Sequence, residues 1–240
     1  MRIPKRLKKC PIVDFTCEVR FESSFPSSIV TGMIVSALSS LNIKNIEELP
    51  VLQIPEALRN SDEQLKFAPH YKTTLGNVNL LFGGGVIAIS SHIPYSGWLV
   101  FKPEIEKILQ CLFQHDASFL KRITRVAQRT VNFFPMDILC HTTVEVKTPI
   151  AYKKEQYQYI DYYRDGDNLM VRTVIANQAS YQEKEGSVID IDAHIACNSN
   201  TGLEFLMEAI EKIHTESKKI FFTLLNPESE LIKSLEPEYE

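Results

Sequence analysis

The stretch that decides the fold is GGGVIAIS at 83–90, together with the region that follows it as far as Asn132. Three consecutive glycines supply a turn, and the β-branched run behind them is typical of a strand. From Pro103, apolar residues recur three and four positions apart, which predicts an amphipathic helix with proline in its first turn. A basic strand is predicted at 123–133. The region therefore shows a succession of strand, helix and strand.

Working outward, the segment 13–21 alternates between apolar residues at odd positions and polar residues at even positions. That period of two is typical of a half-buried strand. Apolar spacing predicts a second amphipathic helix over 30–41. A third, long helix is predicted from Thr201, with Glu204 completing a capping box, to the Asn226-Pro227 stop.

Shorter patterns fill the rest of the chain. They predict strands at 51–54, 71–75, 78–82, 142–146, 157–163, 169–176 and 187–197, with a hairpin turn at 165–168. Because hairpin-length turns outnumber crossovers, we expect an α+β fold with mixed or antiparallel sheets packed against three principal helices. The element order is compatible with two related halves. We divide the chain into a basic tail (1–10), a first α+β half (11–120), a second α+β half closing with the long helix (121–228) and an acidic tail (229–240).

Composition narrows the class of protein. The chain has 240 residues, 44% of them hydrophobic, and a formal net charge of -4, which opposes non-specific coating of nucleic acid. Its five cysteines are scattered and never form a C-x-x-C pair, as in a reducing, cytoplasmic protein. No apolar run approaches the roughly 18 residues of a membrane span. We expect a cytoplasmic protein that does not cross a membrane.

Asp190, Asp192 and His194 are the best candidates for catalysis. On a strand, three alternate residues point to one face, where two carboxylates and an imidazole could contribute ligands to a divalent metal. This supports an alternative function as a metal-dependent hydrolase. The other interpretation is the polar face of a half-buried strand, paired with basic residues across the sheet.

Arg122, Arg125 and Arg129 form a basic cluster on the strand 123–133 and at its start. Guanidinium groups on one strand face could bind phosphate or carboxylate groups, and with the basic N-terminus they give a second alternative, nucleic-acid binding, which the sequence does not favour. They could equally neutralise acidic residues on a neighbouring strand. Those acids would be Glu18, Asp190 and Asp192.

The turn at 95–98 carries the only tryptophan. An aromatic group there could stack on a ligand or anchor a partner, or it could close one end of the core. Nucleophile motifs are absent from the sequence, which favours a non-catalytic protein without a cofactor. The expected ligand or partner contacts are Arg20, Tyr95, Trp98, Arg125, Arg129 and Asn132.

Several short patterns together resemble a sporadically distributed family of uncharacterised prokaryotic proteins. The matching residues are Pro11-Ile12-Val13-Asp14, Glu18, Arg20, Phe21, Tyr95, Gly97, Trp98, Arg129, Asn132, Asp190-Ile191-Asp192, Ile213-His214, Phe221 and Phe222. The resemblance implies no activity. The family's patchy occurrence resembles that of mobile accessory genes, including defence and toxin–antitoxin modules.

These observations together predict a binding or interaction module, an accessory or regulatory component with a protein partner. The last helix adds one question about assembly. Its apolar residues alternate spacings of three and four over 203–224, which is the seam of a coiled coil and also the stripe of a helix lying on a sheet. The first interpretation predicts a homodimer through this helix, and the second places the stripe in the chain's own core.

Overall fold

One long antiparallel sheet organises the molecule. The structure, a computed structural model, describes residues 3–41, 43–63, 65–115, 117–145, 155–166, 168–199 and 202–239. The strands are β1 (Arg6–Leu7), β2 (Ile12–Glu22), β3 (Lys44–Glu48), β4 (Tyr71–Leu75), β5 (Val78–Phe82), β6 (Val86–Ser91), β7 (Arg122–Phe134), β8 (Gln158–Asp165), β9 (Leu169–Tyr181), β10 (Lys184–Ser199) and β11 (Pro237–Glu238).

Within these described ranges, five α-helices accompany the strands. They are α1 (Ser27–Ala37), α2 (Glu56–Ser61), α3 (Trp98–His115), α4 (Leu203–Leu224) and α5 (Glu230–Ser234). Nine strands form one sheet in the order β3-β4-β5-β6-β2-β7-β10-β9-β8, and every neighbouring pair is antiparallel. The predicted α+β class with antiparallel pairing and three principal helices, α1, α3 and α4, is therefore confirmed.

The same order of connections occurs twice. In the first half β2 is followed by the meander β4-β5-β6, whose last strand returns beside β2 and leads into α3. In the second half β7 is followed by the meander β8-β9-β10, whose last strand returns beside β7 and leads into α4. The first half adds α1, β3 and α2 between its first strand and its meander. Because β2 and β7 pair at the centre, one sheet runs through both halves.

The helices pack on one face of this sheet. From Phe15 to Phe21, the odd-numbered residues of β2 point to that face and are buried, with Phe15 2% exposed and Phe21 1% exposed. The buried stripes of α1, α3 and α4 join them in a single hydrophobic core. We call the opposite face, which carries the even-numbered residues of β2, the open face.

The stripe of α4 belongs to this core. Its buried residues are Leu206, Ala209, Ile210, Ile213, Ser217, Phe221, Phe222 and Leu224. They face the chain's own β7 and β10, as the second interpretation of the last helix predicted. The chain's own sheet thus covers most of the predicted seam, leaving Leu203 and Ile220 half-buried, and the homodimer through α4 stays a prediction. The predicted capping residue Thr201 lies outside the described residues, and α4 begins after Gly202.

Several local predictions were wrong. The segment 50–53 is a 3₁₀ turn and not a strand, and the neighbouring strand β3 was missed. In 142–145 only Thr142 bridges to Leu225, so the described part of that predicted strand is a loop. Helix α3, which was predicted to start at Pro103, begins at Trp98, so Pro103 lies inside it and not in its first turn.

The basic and acidic ends of the chain meet. Strand β1 pairs with β11, and Lys5 N–H donates to the carbonyl of Glu238 at 2.7 Å. Ion pairs join Arg6 to Glu238 and Lys9 to Glu236. The basic tail therefore pairs with the acidic tail of the same chain. Among the described residues, no helix combines the length and the apolar character needed to cross a bilayer.

Candidate functional site: the open face and its edge strand β8

The open face carries a ladder of ion pairs where the sequence placed its two charged clusters. Arg125 lies between two acids: its Nη1 is 2.5 Å from Glu18 Oε1, and its Nη2 is 2.9 Å from Asp192 Oδ1. Arg20 Nε binds the same Glu18 carboxylate at 2.7 Å. Arginine donates in several directions, so one guanidinium group can bridge acids on β2 and β10.

A second cluster lies further along the same strands. Arg129 binds Asp190 through two parallel hydrogen bonds, Nε to Oδ1 at 3.0 Å and Nη2 to Oδ2 at 2.9 Å. Asp190 is 8% exposed, and Arg172 on β9 lies 3.9 Å from its Oδ2. The hydrogen bonds and negative charge of Asp190 raise the pKa of Arg129. The two clusters therefore neutralise each other, as one of the two interpretations held.

The ion pairs determine the electrostatic potential of the open face. Its central strands bear four guanidinium groups, Arg20, Arg125, Arg129 and Arg172, and four carboxylates, Asp14, Glu18, Asp190 and Asp192. With equal numbers of each sign, the centre of the face builds no large positive potential for a phosphate backbone. Arg122, at the start of β7, is bound to Glu22 at 2.6 Å.

His194 completes the alternating row with Asp190 and Asp192. Burial and the positive charge of Arg125 lower its pKa, so the imidazole is neutral at pH 7. Its cross-strand neighbours are Ala127 and Met170, neither of which is a metal ligand of the required type. Within the part of the chain that the structure describes, no group of three or more His, Cys, Asp or Glu residues is arranged to hold a metal ion.

Tyr95 and Trp98 lie on the other side of the sheet. Tyr95 stacks on Phe15 with ring centroids 4.8 Å apart, and Trp98 stacks on His214 at 3.9 Å. The Trp98 indole N–H donates to Glu211 at 3.2 Å. Burial lowers the pKa of His214 to about 4 and raises that of Tyr95 above its usual range. The aromatic turn therefore closes one end of the core.

Asn132 is also a core residue, 2% exposed, and its Nδ2 donates to the carbonyl of Ile189 at 3.2 Å. The six predicted contact residues consequently do not converge. Arg20, Arg125 and Arg129 lie on the open face, whereas Tyr95, Trp98 and Asn132 belong to the helix-covered side. Parity along β2 and β7 would have separated them, because alternate residues of a strand point to opposite faces.

Strand β8 forms one edge of the sheet and differs from the strands beside it. Seven of its eight residues are exposed, since its burial pattern has a single half-buried position. Tyr162 is 72% exposed, Ile160 43% and Tyr163 41%. Tyr159 packs back against Tyr157 with centroids 5.4 Å apart, and Tyr157 donates to Asp137 at 2.6 Å. The strand is thus anchored at its start and exposes apolar and aromatic groups beyond it.

The opposite edge, β3, is built differently. It has five residues, KNIEE, three of which are charged. Short, charged edges discourage pairing with other chains, whereas a longer edge with exposed aromatic groups favours it. Of the two edge strands, β8 therefore has the features that favour binding of a partner.

Sequence reasoning missed a third feature, a pocket beside the start of α1. There His70 Nδ1 lies 3.2 Å from Ser27 Oγ, and His70 Nε2 lies 2.8 Å from Arg59 Nη1. The three residues come from different segments and share no spacing that a motif search would find. The only sequence signal was the glycine run, whose Gly84 and Gly85 line this pocket.

Comparison with known proteins adds no family. No family model matches the chain, and no curated protein matches it significantly.

Proposed function

We propose that the protein is a non-catalytic interaction module that binds a protein partner along strand β8. The observation that carries the proposal is the exposed edge itself, an eight-residue strand at the end of a nine-stranded sheet, with Ile160, Tyr162 and Tyr163 open to solvent. Edge strands accept an additional strand from a partner through backbone hydrogen bonds. Tyrosine is among the residues that contribute most to such interfaces.

The geometry of β8 suits strand addition in detail. Its side chains alternate between the two faces, so Ile160 and Tyr162 flank the open face while Tyr163 lies on the helix side. An added strand would therefore contact aromatic groups on both of its faces. Asp161 and Asp165 bring two negative charges and Arg164 brings one positive charge, which favours an orientation without demanding a strongly charged partner.

The two rival functions lack comparable support. A metal-dependent hydrolase would need the carboxylates of Asp190 and Asp192, and these are bound to Arg129 and Arg125. A nucleic-acid binder would need the arginines of β7, which pair with acids. Neither arrangement offers groups that are both charged and unengaged, whereas β8 offers exposed area.

The wider role proposed here is that of an accessory or regulatory component in a mobile gene set of the defence or toxin–antitoxin kind, acting in the cytoplasm. It rests on the resemblance to the sporadically distributed prokaryotic family. All five cysteines are free thiols, as expected in a reducing compartment.

Site-specific photo-crosslinking tests the interface. A photoreactive phenylalanine analogue replaces Tyr162 in one variant and Tyr239, which is 45% exposed, in a matched control. In cells of the source organism we expect an adduct from position 162 and not from 239, lost again when Ile160→Lys is added. An adduct of twice the 27.4 kDa chain mass would identify the partner as a second copy. Equal adducts from both positions, or none from 162, would contradict the proposal.

A further inference from the structure

The pocket beside α1 lies on a different part of the molecule from β8 and has its own chemistry. Its volume is about 300 Å³, at the lower end of the range for small-molecule sites. The start of α1, the glycine turn between β5 and β6, helix α2 and the segment 66–70 enclose it. Phe25 and Phe67 give it apolar walls, and Lys66 stands at the exposed rim.

Arg59 is the unusual member of this pocket. The residue is only 9% exposed, hence nine-tenths buried, and none of the described residues accepts a hydrogen bond from its Nε. Of the two acids that line the pocket, Glu22 is bound to Arg122 and Glu56 is exposed to solvent. Among the described residues, none places a carboxylate within ion-pair distance of Arg59. A guanidinium group keeps its charge at all relevant pH values, so a buried one without an anion is unfavourable.

The hydrogen bonds fix the protonation state of His70. Arg59 can only donate, so His70 Nε2 has to accept and its proton resides on Nδ1. Burial, followed by the charge of Arg59, lowers the pKa of His70, which keeps the ring neutral. Nδ1–H consequently donates to Ser27 Oγ. Because that nitrogen already carries a proton, it cannot take one from Ser27, and the pair is not a nucleophile with its base.

The same bonds prepare Ser27 as a donor. With one acceptor site of its oxygen filled by His70, the hydroxyl hydrogen of Ser27 is available to a group in the pocket. Ser27 is also the first residue of the eleven-residue helix α1. Pro26 precedes it without a side-chain cap, and the first turn has no acidic residue. The N–H groups of Ile29 and Val30 bond to the carbonyl of Pro26, so the positive end of this helix dipole presents the N–H groups of Ser27 and Ser28 beside a pocket that already holds a buried cation.

Gly84 allows these parts to come together. A Cβ placed on Gly84 would lie 2.3 Å from Ser27 Oγ and 2.9 Å from Ser27 Cα. No side chain larger than hydrogen fits there, so the glycine turn sits directly against the helix start and closes the pocket floor.

We infer that this pocket binds the phosphate group of a small phosphorylated molecule. Arg59, the Ser27 hydroxyl and the N–H groups of α1 would donate to its oxygens from three directions, and Lys66 would add charge at the mouth. A tetrahedral dianion matches this set better than a planar carboxylate, since helix starts and arginines bind phosphate in combination. Two carboxylates also line the pocket: Glu22, which is bound to Arg122, and the exposed Glu56, which opposes the binding of an anion.

Titration with inorganic phosphate, followed by amide NMR, tests the site directly. We expect saturable shifts at Ser27, Ser28, Gly84 and Gly85, with acetate at equal concentration giving much smaller ones. Arg59→Met should weaken phosphate binding at least about tenfold, as loss of a charge-assisted donor does. Arg172→Met, an arginine on the open face, is the matched control and should bind phosphate normally. Acetate binding as tightly as phosphate, or unchanged binding by Arg59→Met, would overturn the inference.

Two further variants separate ligand binding from a structural role of Arg59. Lys66→Met removes an exposed rim charge, so it should fold normally and bind phosphate more weakly. Glu56→Gln should tighten phosphate binding, because it removes an exposed negative charge from the lining of the pocket. If Arg59→Met and Glu56→Gln both destabilise the protein and Lys66→Met binds phosphate normally, Arg59 and Glu56 form a structural pair and the site is refuted. The β8 interface does not depend on any of these results.

Discussion

Arg129 and Asp190 meet as two parallel hydrogen bonds between neighbouring strands, at 3.0 and 2.9 Å, on a face that no principal helix covers. The pair is asymmetric, because the Arg129 side chain is 53% exposed while that of Asp190 is only 11% exposed. Loss of the arginine therefore leaves a largely buried carboxylate, whereas loss of the acid leaves an arginine that water can reach.

This asymmetry predicts unequal effects of mutation. Arg129→Met should lower the free energy of unfolding by about 1–2 kcal/mol, because Asp190 then keeps only the distant Arg172. Adding Asp190→Asn to Arg129→Met should recover part of that loss, since the buried charge is gone. Urea denaturation of the three proteins checks this. Additive losses in the double variant would mean that the two residues are not coupled.

Gly84 and Gly32 provide a matched pair for backbone tests. Gly84→Ala should destabilise the protein by about 1–3 kcal/mol, because its methyl group would overlap Ser27. Gly32→Ala lies within α1, where nothing approaches an added Cβ within 4 Å, and should stabilise it by about 0.5–1 kcal/mol. Thermal unfolding measures both. A neutral Gly84→Ala would show that the glycine turn can move away from the helix.

His214 makes stability depend on pH. Its pKa is lowered to about 4 by burial against Trp98, opposed by Glu211 and reinforced by Lys218 and Lys102. The unfolded chain therefore binds a proton below about pH 6.5 that the folded chain refuses until about pH 4. Stability from the neutral ring is complete above pH 6.5 and declines as pH falls through this window, by about 2–3 kcal/mol in total.

Comparison with His214→Phe isolates that contribution from the acids that titrate in the same range. Phenylalanine preserves the stacking on Trp98 and removes a buried Nδ1 for which the described part of the chain supplies no hydrogen-bond partner. We expect similar stability at pH 7 and a shallower loss toward pH 4.5. Trp98 is the only tryptophan, so its fluorescence can follow unfolding in both proteins. Parallel pH profiles would exclude His214 as the source.

The pairing of the chain ends should respond to charge exchange. Arg6→Glu alone places like charges opposite each other on β1 and β11, while Arg6→Glu with Glu238→Arg restores an attractive pair. We expect faster hydrogen exchange of the Lys5 amide in the single variant and near-native exchange in the double variant. The difference should shrink in 1 M salt, because these groups are exposed and screened. Identical exchange in all three proteins would assign the pairing to the backbone alone.

The strands were the most predictable part of this fold. Alternation in 13–21 correctly separated the core face of β2 from its open face, because a period of two leaves only one way to bury Phe15 and Phe21. The strand β3 was not predicted because its sequence, KNIEE, shows no apolar alternation. As an edge strand it pairs on one side only. The rule that places proline in the first turn put the start of α3 at Pro103, five residues too late. The residues from Trp98 onward are already helical.

The sites were less predictable than the fold. The pairing of the arginines with the aspartates could be anticipated from the sequence. Arg125 and Arg129 share one face of their strand, and Asp190 and Asp192 share one face of theirs. The Arg59–His70–Ser27 chain could not, because its members are 11 and 43 positions apart and meet only through tertiary packing. The exposure of β8 could not be predicted from the sequence either. Its tyrosines alternate like the side chains of any strand, and only the order of strands in the sheet places them at an edge.

The pairing of β2 with β7 at the centre of the sheet also governs how the chain must fold. Glu18 and Arg125, joined across these strands, are 107 positions apart in sequence. Until the chain reaches β7 on the ribosome, β2 has only β6 beside it, and its other edge stays unpaired. Such distant partners slow folding, since a long loop has to close before its contacts can form. During synthesis of this protein, one edge of β2 therefore stays unpaired until β7 has been made, and it can pair with other chains in that time. We expect a chaperone that covers β2 to raise the yield of folded protein.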